Sequence, residues 1–317
     1  MAVLASVAGG MASCAGAPRS TLEGASIRPL ATGLAAPAPC GGCHAAIADE
    51  WRVSFHRLAF TDETFQHSLA LEDPKEHVFC TGCHAPAASR LGVAVGVDCE
   101  ACHGVTPHAR DGARARPGPA ATCAGCHEFT FAGGREELVQ RTVSEHARSA
   151  FADVPCAGCH MPTRAGHKDH RFLAGHAPER ISAAVRVEAE RVQGAAAIRF
   201  VLRVDAGHDF PTGDMFRRAR LLVFAEGARG EIVGDASRTF GRTWTALREG
   251  SHAEARTEAR DTRIRGTWTG VVSLGEPGAP IARARWQLLY ERVLAVRGDQ
   301  VTVVSSDAVA EGTVAWR

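Results

Sequence analysis

Ten of the eleven cysteines fall into five pairs in which two residues separate the cysteines and a histidine directly follows the second one. This Cys-x-x-Cys-His pattern is the attachment signature of a c-type haem. The spacing puts both thiols on one side of a helical turn, where they can form thioethers with the two vinyl groups of a porphyrin, and the histidine points at the iron as proximal ligand. In chain order, the motifs consist of Cys40, Cys43 and His44; Cys80, Cys83 and His84; Cys99, Cys102 and His103; Cys123, Cys126 and His127; and Cys156, Cys159 and His160.

Other chemistries of paired cysteines fit this pattern poorly. A zinc site needs its cysteine pairs in sets of four ligands and places no demand on the next residue. A disulfide framework has no use for a histidine after every pair. We therefore expect five covalently bound haem c groups, and with them an iron protein that transports electrons.

The histidine content predicts what closes the other face of each iron. Fifteen histidines minus the five proximal ones leave ten for at most five distal positions. Methionine is a poor alternative, because Met161 follows its own motif directly and Met215 is the only other one beyond the N-terminal segment. Bis-histidine ligation is expected, and with it low reduction potentials, since methionine is the ligand that raises them.

The elements that must position these residues divide the chain in two. Residues 40–180 carry all five motifs, so porphyrins must supply much of their core, with helices predicted at Ala45–Leu58, Asp62–Leu71 and Arg135–Phe151. Residues 181–317 lack cysteine and show the apolar–polar alternation of half-buried strands. The predicted fold class is α+β: a haem-packed, mainly helical or irregular N-terminal domain followed by a C-terminal antiparallel β-sandwich. The strands are predicted at Ala183–Val192, Ala196–Val204, Ala219–Phe224, Val271–Leu274, Trp286–Ala295 and Gln300–Ser305.

Residues 1–39 are predicted to be a signal or lipoprotein segment followed by a flexible tether. The apolar stretch Ala2–Ala12 is too short to span a membrane. The sequence Met11-Ala-Ser-Cys14-Ala15 resembles a lipobox, which predicts lipidation of Cys14 and membrane anchoring through that lipid. The alternative is a leftover cysteine in a signal peptide that is cut elsewhere. Either case predicts the periplasm or the cell envelope, including the outer membrane.

The net charge of +1 gives no reason to expect a nucleic-acid partner. The expected partners are redox proteins that donate and accept electrons.

Several sequence features resemble the multihaem cytochromes related to cytochrome c-554, the electron-transfer relatives of hydroxylamine oxidoreductase. They include Trp51-x-x-Ser54-x-His56 after the first motif and Gly96-Val-Asp before the third. The stretch His170-x-Phe172-x-x-Gly175-His176 follows the fifth motif. The resemblance extends into the second domain through Gly207-His208-Asp-Phe-Pro-Thr-Gly213, Arg217-Arg218 and Asp261-Thr-Arg263.

The resemblance implies five distal ligands: His56, His108, His170, His176 and His208. It assigns His56 to the haem of the third motif and His108 to that of the first. His77 and His146 are reserves, and His67, His167 and His252 are expected to be exposed to solvent. Arg217 and Arg218 either pair with haem propionates or end a strand in solvent.

Two classes of function follow. A full set of distal histidines predicts an electron carrier with no catalytic residues. The alternative is a reductase of nitrite, hydroxylamine or a similar small molecule at one five-coordinate haem. A place as the electron-transfer subunit of a larger complex or filament also fits the sequence.

Overall fold

The computed structural model describes residues 28–29, 40–70, 74, 77–88, 93–104, 119–130, 138–172, 175–213, 216–246, 256–297 and 300–316. The chain divides into two compact units, here called the motif unit and the sheet unit. The motif unit contains residues 1–143, 153–176 and 248–255, and the sheet unit contains residues 144–152, 177–247 and 256–317.

Short helices and two-stranded ribbons build the motif unit, and the Cys-x-x-Cys part of every motif is helical. The helices up to residue 160 are α1 Cys40–Cys43, α2 Ala45–Arg52, α3 Phe55–Leu58, α4 Glu63–Leu69, α5 His77–His84, α6 Cys99–His103, α7 Pro119–His127, α8 Thr142–Ala147 and α9 Cys156–His160. The ribbons pair β1 Arg28–Pro29 with β2 Val93–Ala94, β3 Glu128–Thr130 with β4 Leu138–Arg141, and β5 Thr163–Arg164 with β6 His167–Lys168. Within the described ranges, no helix has the length and apolarity needed to cross a membrane.

The helix predicted over Ala45–Leu58 is divided into α2 and α3. The division occurs because Ser54 adopts an extended backbone and caps α3, its hydroxyl accepting a hydrogen bond from the Arg57 amide at 3.1 Å. Ser54 is completely buried. The cap fixes where α3 begins and hence where His56 lies.

The helix predicted over Arg135–Phe151 is wrong over much of its length. Within the described residues 138–151 of that range, residues 138–141 form strand β4, with Val139 buried, and the helix is limited to Thr142–Ala147. The Glu128 carboxylate accepts a hydrogen bond from the Val143 amide at 2.9 Å, which starts the helix just after the ribbon. Tertiary pairing outweighs the helix propensity of this segment.

Apolar packing within the motif unit is sparse. One small cluster gathers Phe60, Phe65, Leu69, Cys80, Ala85, Ala88 and Ala94, and a second joins Ala48 to Trp51.

The sheet unit is an antiparallel pair of sheets entered through helix α10, Pro178–Ala184. Its strands are β7 Val185–Arg191, β8 Ala197–Val204, β9 Arg217–Glu226, β10 Ile232–Ala246, β11 Arg256–Asp261, β12 Thr267–Ser273, β13 Arg283–Arg297 and β14 Gln300–Ala315. They form a three-stranded sheet in the order β12-β8-β7 and a five-stranded sheet in the order β11-β10-β9-β13-β14. Phe200, Leu202, Leu221 and Leu288, all fully buried, belong to one continuous core. The predicted α+β class with a C-terminal antiparallel sheet domain is confirmed.

Candidate haem-binding site

Two histidine pairs in the motif unit have a separation that suits a shared metal ion. The ring centroids of His103 and His170 are 6.3 Å apart with an angle of 25° between the rings. Those of His56 and His127 are 6.4 Å apart with an angle of 57°. An ion bound to one nitrogen of each ring at about 2 Å puts the two centroids roughly 6 Å apart. Each pair combines a motif histidine with a histidine that the sequence predicted to be distal.

These pairs change one expectation about which histidine serves which motif. The resemblance assigned His56 to the third motif, whereas the structure places it beside His127 of the fourth. His170 lies beside His103 of the third motif instead. The difference depends on how α3 packs against other segments, which linear spacing does not encode.

The backbone of His56 is fixed by the segment that precedes the third motif. Its carbonyl accepts a hydrogen bond from the Val97 amide at 2.7 Å, and the Val97 carbonyl accepts one from the Trp51 indole at 2.8 Å. Gly96 has φ +78°, and a Cβ there would lie 2.3 Å from the Arg57 carbonyl oxygen. Only glycine permits this backbone approach, so Gly96-Val-Asp holds the candidate ligand in place.

The electrostatic environment keeps His56 neutral. Burial, reinforced by the positive charges of His127 and His160, lowers the pKa of His56 to about 4. Its Nδ1 atom is buried and has no hydrogen-bond partner. An iron requires a neutral imidazole with a free nitrogen, and His56 offers one.

The environment of His127 disfavours the charged form of its ring. The side chain is accessible to solvent, yet burial among the surrounding atoms, together with the charges of His160 and His84, lowers its pKa.

His170 is oriented by hydrogen bonds around it. Its amide donates to the Glu50 carboxylate at 2.9 Å, and its Nδ1 atom lies 2.6 Å from the Lys168 carbonyl oxygen. An Nδ1–H donated to a carbonyl fixes the tautomer and leaves Nε2 as the metal-binding atom. The residues on either side of His170 also bind each other: both oxygens of the Asp169 carboxylate accept hydrogen bonds from the Arg171 guanidinium at 2.5–3.0 Å.

His84, the proximal histidine of the second motif, shows the same outer-shell arrangement. Its Nδ1 atom lies 2.8 Å from the Ala59 carbonyl oxygen. Phe65 lies parallel to the ring, with centroids 3.8 Å apart and an angle of 8°. The contact with the Ala59 carbonyl fixes the orientation of the His84 ring.

Phe172 connects the two histidine pairs. Its ring meets His56 edge-on at 4.2 Å and His170 at 5.9 Å. Phe172 has φ +51°, a conformation that costs energy for a bulky residue and is concentrated at functional sites.

Sulfur contacts show which motifs are neighbours. The Cys40 thiol neighbours Cys99, which joins the third and first motifs, and burial followed by this neighbour raises the pKa of Cys99 to about 11. The Cys83 thiol raises the pKa of Cys126, and burial followed by the Cys156 thiol raises that of Cys123, which puts the fourth motif beside the second and the fifth. The ten motif cysteines all lie among the described residues, and none of them forms a disulfide.

The burial of the motif cysteines is uneven. Cys80 is buried, whereas Cys43, Cys102 and Cys159 are exposed. Cys159 shows the difference most clearly, because it belongs to helix α9, which contains no buried residue. The physical reason is that a thiol whose packing partner is a porphyrin need not be covered by protein atoms. The exposure of Cys159 leaves its sulfur accessible for a thioether bond, and its role as an attachment residue stays a prediction.

The other predicted site residues are distributed as follows. His44 and His160 sit at the ends of their motifs, and the His176 ring stacks on Phe55 at 3.1 Å in the motif unit. His108, His252 and Cys14 lie outside the described residues.

Two of the histidines expected to be exposed, His67 and His167, differ from each other in their exposure to solvent. His67 is exposed as predicted. His167 is only partly exposed, because its Nε2 atom lies 3.1 Å from a Glu50 oxygen. The reserve His77 begins α5 and is half-buried.

His208 lies in the sheet unit, on the loop after β8, and is half-buried. A buried charge network holds this loop: the Glu145 carboxylate accepts from the Asp209 amide at 3.2 Å and from the Arg263 guanidinium at 2.6 Å. Gly207 packs on His146, where a Cβ would meet the ring at 2.8 Å. Burial raises the pKa of Glu145, although the positive charge of Arg263 lowers it.

The sequence analysis missed Glu145 as a residue that supports this loop. The available signal was an acidic residue beside the reserve His146, matched by Asp261-Thr-Arg263 further along the chain.

The motif unit fits haem c by its donor set. It offers paired thiols on helical turns, an imidazole at His56 that its surroundings keep neutral, and Nδ1 atoms of His84 and His170 that are anchored to backbone carbonyl oxygens. Among the described residues, no group of three or more His, Cys, Asp or Glu could hold a metal ion by itself.

Residues 39–104, which contain the first three motifs, match the family model "Cytochrome c554 and c-prime". No curated protein matches the chain.

Two solved structures are similar to the chain. A penta-heme cytochrome c552 from Thermochromatium tepidum is 17% identical, with a TM-score of 0.64 over 86% of this chain and 97% of that one. At this identity the likeness concerns the fold. MtrC from Shewanella baltica OS185 is 15% identical over 79% of this chain and 43% of that one, and its TM-score of 0.20 carries no argument.

Proposed function

We propose that this multihaem c-type cytochrome, related to the cytochrome c554 family through residues 39–104, carries five haems and transfers electrons outside the cytoplasm without turning over a substrate. Haem c, when bound, supplies a one-electron iron couple. The chain's own residues anchor that group, set its axial ligands and exclude other ligands.

The observation that carries this proposal is the spacing of the two histidine pairs, 6.3 Å for His103 with His170 and 6.4 Å for His56 with His127. An iron with histidine on both faces has no open position for a substrate. Its potential is also low, since neither ligand is methionine. Both properties suit a carrier better than a reductase.

The neighbouring motifs support a continuous relay. Sulfur contacts join the first motif to the third, and the fourth to both the second and the fifth. Burial, followed by the neighbouring Cys126 thiol, raises the pKa of Cys102, so the third and fourth motifs are also neighbours. These relations branch at the fourth motif, and each motif has at least one neighbouring motif with which a bound haem would exchange electrons.

The remaining distal ligands are proposed from the sequence resemblance. His108, His176 and His208 complete the set of five, with His208 contributed by the sheet unit. The constrained loop around Gly207 and Asp209 supports a rigid role for His208. The partners are redox proteins.

Location in the periplasm or cell envelope is proposed because attachment of haem c to Cys-x-x-Cys-His motifs belongs to proteins of that compartment, and a lipid anchor is proposed from the lipobox-like sequence at Cys14. Cys14→Ser should move the protein from the membrane fraction to the soluble fraction. A wild-type protein that is already soluble would refute the anchor.

The test of the whole proposal begins with the number of haems. Intact mass and a pyridine-haemochrome assay should give five haems per chain, and four or fewer with maturation intact would contradict it. His170→Ala should then convert one haem to high spin, because its iron loses a ligand. The control His67→Ala, at an exposed site, should leave the spectrum unchanged. A wild-type protein that reduces nitrite or hydroxylamine at a high-spin haem would support the enzyme instead.

A further inference from the structure

Arg57 is a buried charge without a counter-ion. Its exposure is 6%, and its Nη1 atom is buried with no hydrogen-bond partner. Within the described part of the chain, no carboxylate pairs with it. A buried charge that is neither paired nor hydrogen-bonded is strongly unfavourable, so the folded protein needs an anion at this position.

The backbone around Arg57 leaves its side chain little freedom to escape into solvent. Ser54 caps its amide at 3.1 Å, and Gly96 packs against its carbonyl group. The guanidinium carbon lies 5.8 Å from the centre of the Trp51 ring, close to the limit of about 6 Å for a cation–π contact. Trp51 is itself buried and held by its bond to Val97. The ring orients the guanidinium without neutralising it.

Arg217 and Arg218, which the sequence left open as either propionate partners or strand ends in solvent, are placed differently from Arg57. Arg218 donates to the buried Glu291 at 2.5 Å, and Arg217 donates to the Phe216 carbonyl at 3.0 Å. Both lie in the sheet unit. Arg57, by contrast, lies in the motif unit next to the candidate ligand His56.

We propose that the Arg57 guanidinium binds a haem propionate carboxylate. This inference rests on the proposed function, because the anion belongs to the bound haem. A guanidinium fork matches a carboxylate with two parallel hydrogen bonds. The propionate comes from the haem of the first, the third or the fourth motif, since Cys40 neighbours Cys99, Arg57 packs on the segment leading to Cys99, and Arg57 directly follows His56, which lies beside His127.

Arg57→Gln removes the charge while keeping a polar side chain. Loss of a nearby cation disfavours the reduced iron, so one of the five couples should fall in potential. The expected shift is tenfold or more in the equilibrium constant of that couple, about 59 mV for one electron. The matched control is Arg52→Gln on α2, where an exposed arginine pairs with Asp49 on the surface, and screening by solvent should keep its shift much smaller.

A direct readout is the propionate bending mode in resonance Raman spectra. It should change in Arg57→Gln and in the charge-conserving Arg57→Lys, which cannot form the bidentate pair, and stay constant in Arg52→Gln. If the Arg57→Gln protein does not incorporate its haems, the propionate bending mode of the Arg57→Lys protein alone tests the proposal. A potential and a propionate mode that move no more than in the control would overturn the proposal.

Two further experiments identify the haem that supplies the propionate and test the proposed function separately from Arg57. Repeating Arg57→Gln in a Cys99→Ala/Cys102→Ala background abolishes the shift if the third haem supplies the propionate and preserves it if the first or the fourth haem does. The haem count and spin state of the wild-type protein test the electron-carrier function independently of Arg57.

Discussion

The motif unit and the sheet unit solve the problem of a stable interior in different ways. The sheet unit buries Phe200, Leu221 and Leu288 completely in one apolar core. The motif unit has a small cluster around Phe60 and Phe65, and it surrounds its histidines with polar anchors. The comparison teaches that a cofactor-built interior depends on individual hydrogen bonds and glycines, whereas an apolar interior depends on filled volume.

The largest expected effect is on the apolar interior. Phe200→Ala should destabilise the sheet unit by about 3–5 kcal/mol, through lost burial and a cavity. Chemical denaturation followed by sheet circular dichroism measures it. The haem content should be unchanged, and the control Val271→Ala, at an exposed position, should change stability by less than about 0.5 kcal/mol. Loss of haem along with the sheet would break the distinction between the two interiors.

The sheet unit also contains one polar element that should behave like the motif unit. Arg263→Met removes the guanidinium that pairs with the buried Glu145, which should cost about 3 kcal/mol in the free energy of unfolding at neutral pH. Burial raises the pKa of Glu145, so protonation relieves the penalty and the loss should shrink as the pH falls. Arg265→Met, at a mostly exposed residue, serves as control with an effect below about 1 kcal/mol.

In the motif unit, Gly96→Ala should disturb the placement of His56. The new Cβ would meet the Arg57 and His56 carbonyl oxygens at 2.3 and 2.4 Å, at φ +78°, and we expect about 2–3 kcal/mol of destabilisation. Gly104→Ala separates the effect of the positive φ from that of the close contacts, because Gly104 has φ +72° but nothing within 4 Å of a Cβ. Thermal unfolding monitored in the haem absorption measures both variants. Equal effects would show that close packing against His56 is unimportant.

The smallest effect concerns the hydrogen bond that orients His170. That bond lowers the pKa of Glu50, so its contribution is present above the unfolded pKa near 4.3 and is lost as the pH falls through the lower folded value. Glu50→Gln should therefore cost about 1 kcal/mol at pH 7, and the difference from wild type should vanish in acid. Glu63→Gln, at an exposed position, is the control. A difference that persists in acid would show that Glu50 acts through packing instead.

Sequence patterns predicted what is local and missed what depends on packing. The motif helices and the β7, β8 and β9 strands follow from spacing and alternation, and the structure contains them. Strands β10 and β11 were missed because glycines and arginines interrupt their apolar pattern, and because β10 depends on pairing with β9 and β11 on pairing with β10. The break at Ser54 had a visible signal, a capping residue inside a helical stretch.

The candidate site divides in the same way. The cysteines and proximal histidines follow from the motif itself, although the motif does not predict that Cys80 is buried and Cys159 exposed. The pairing of His56 with His127 and the isolation of Arg57 arise from segments far apart in sequence. No linear pattern encodes such contacts.

The central claim is that the chain's own histidines close both faces of every iron. Electron paramagnetic resonance of the fully oxidised protein, integrated against the haem content, tests it most directly. The account predicts low-spin ferric signals that sum to five per chain, with no high-spin signal. A high-spin signal that integrates to one or more haems per chain would contradict it.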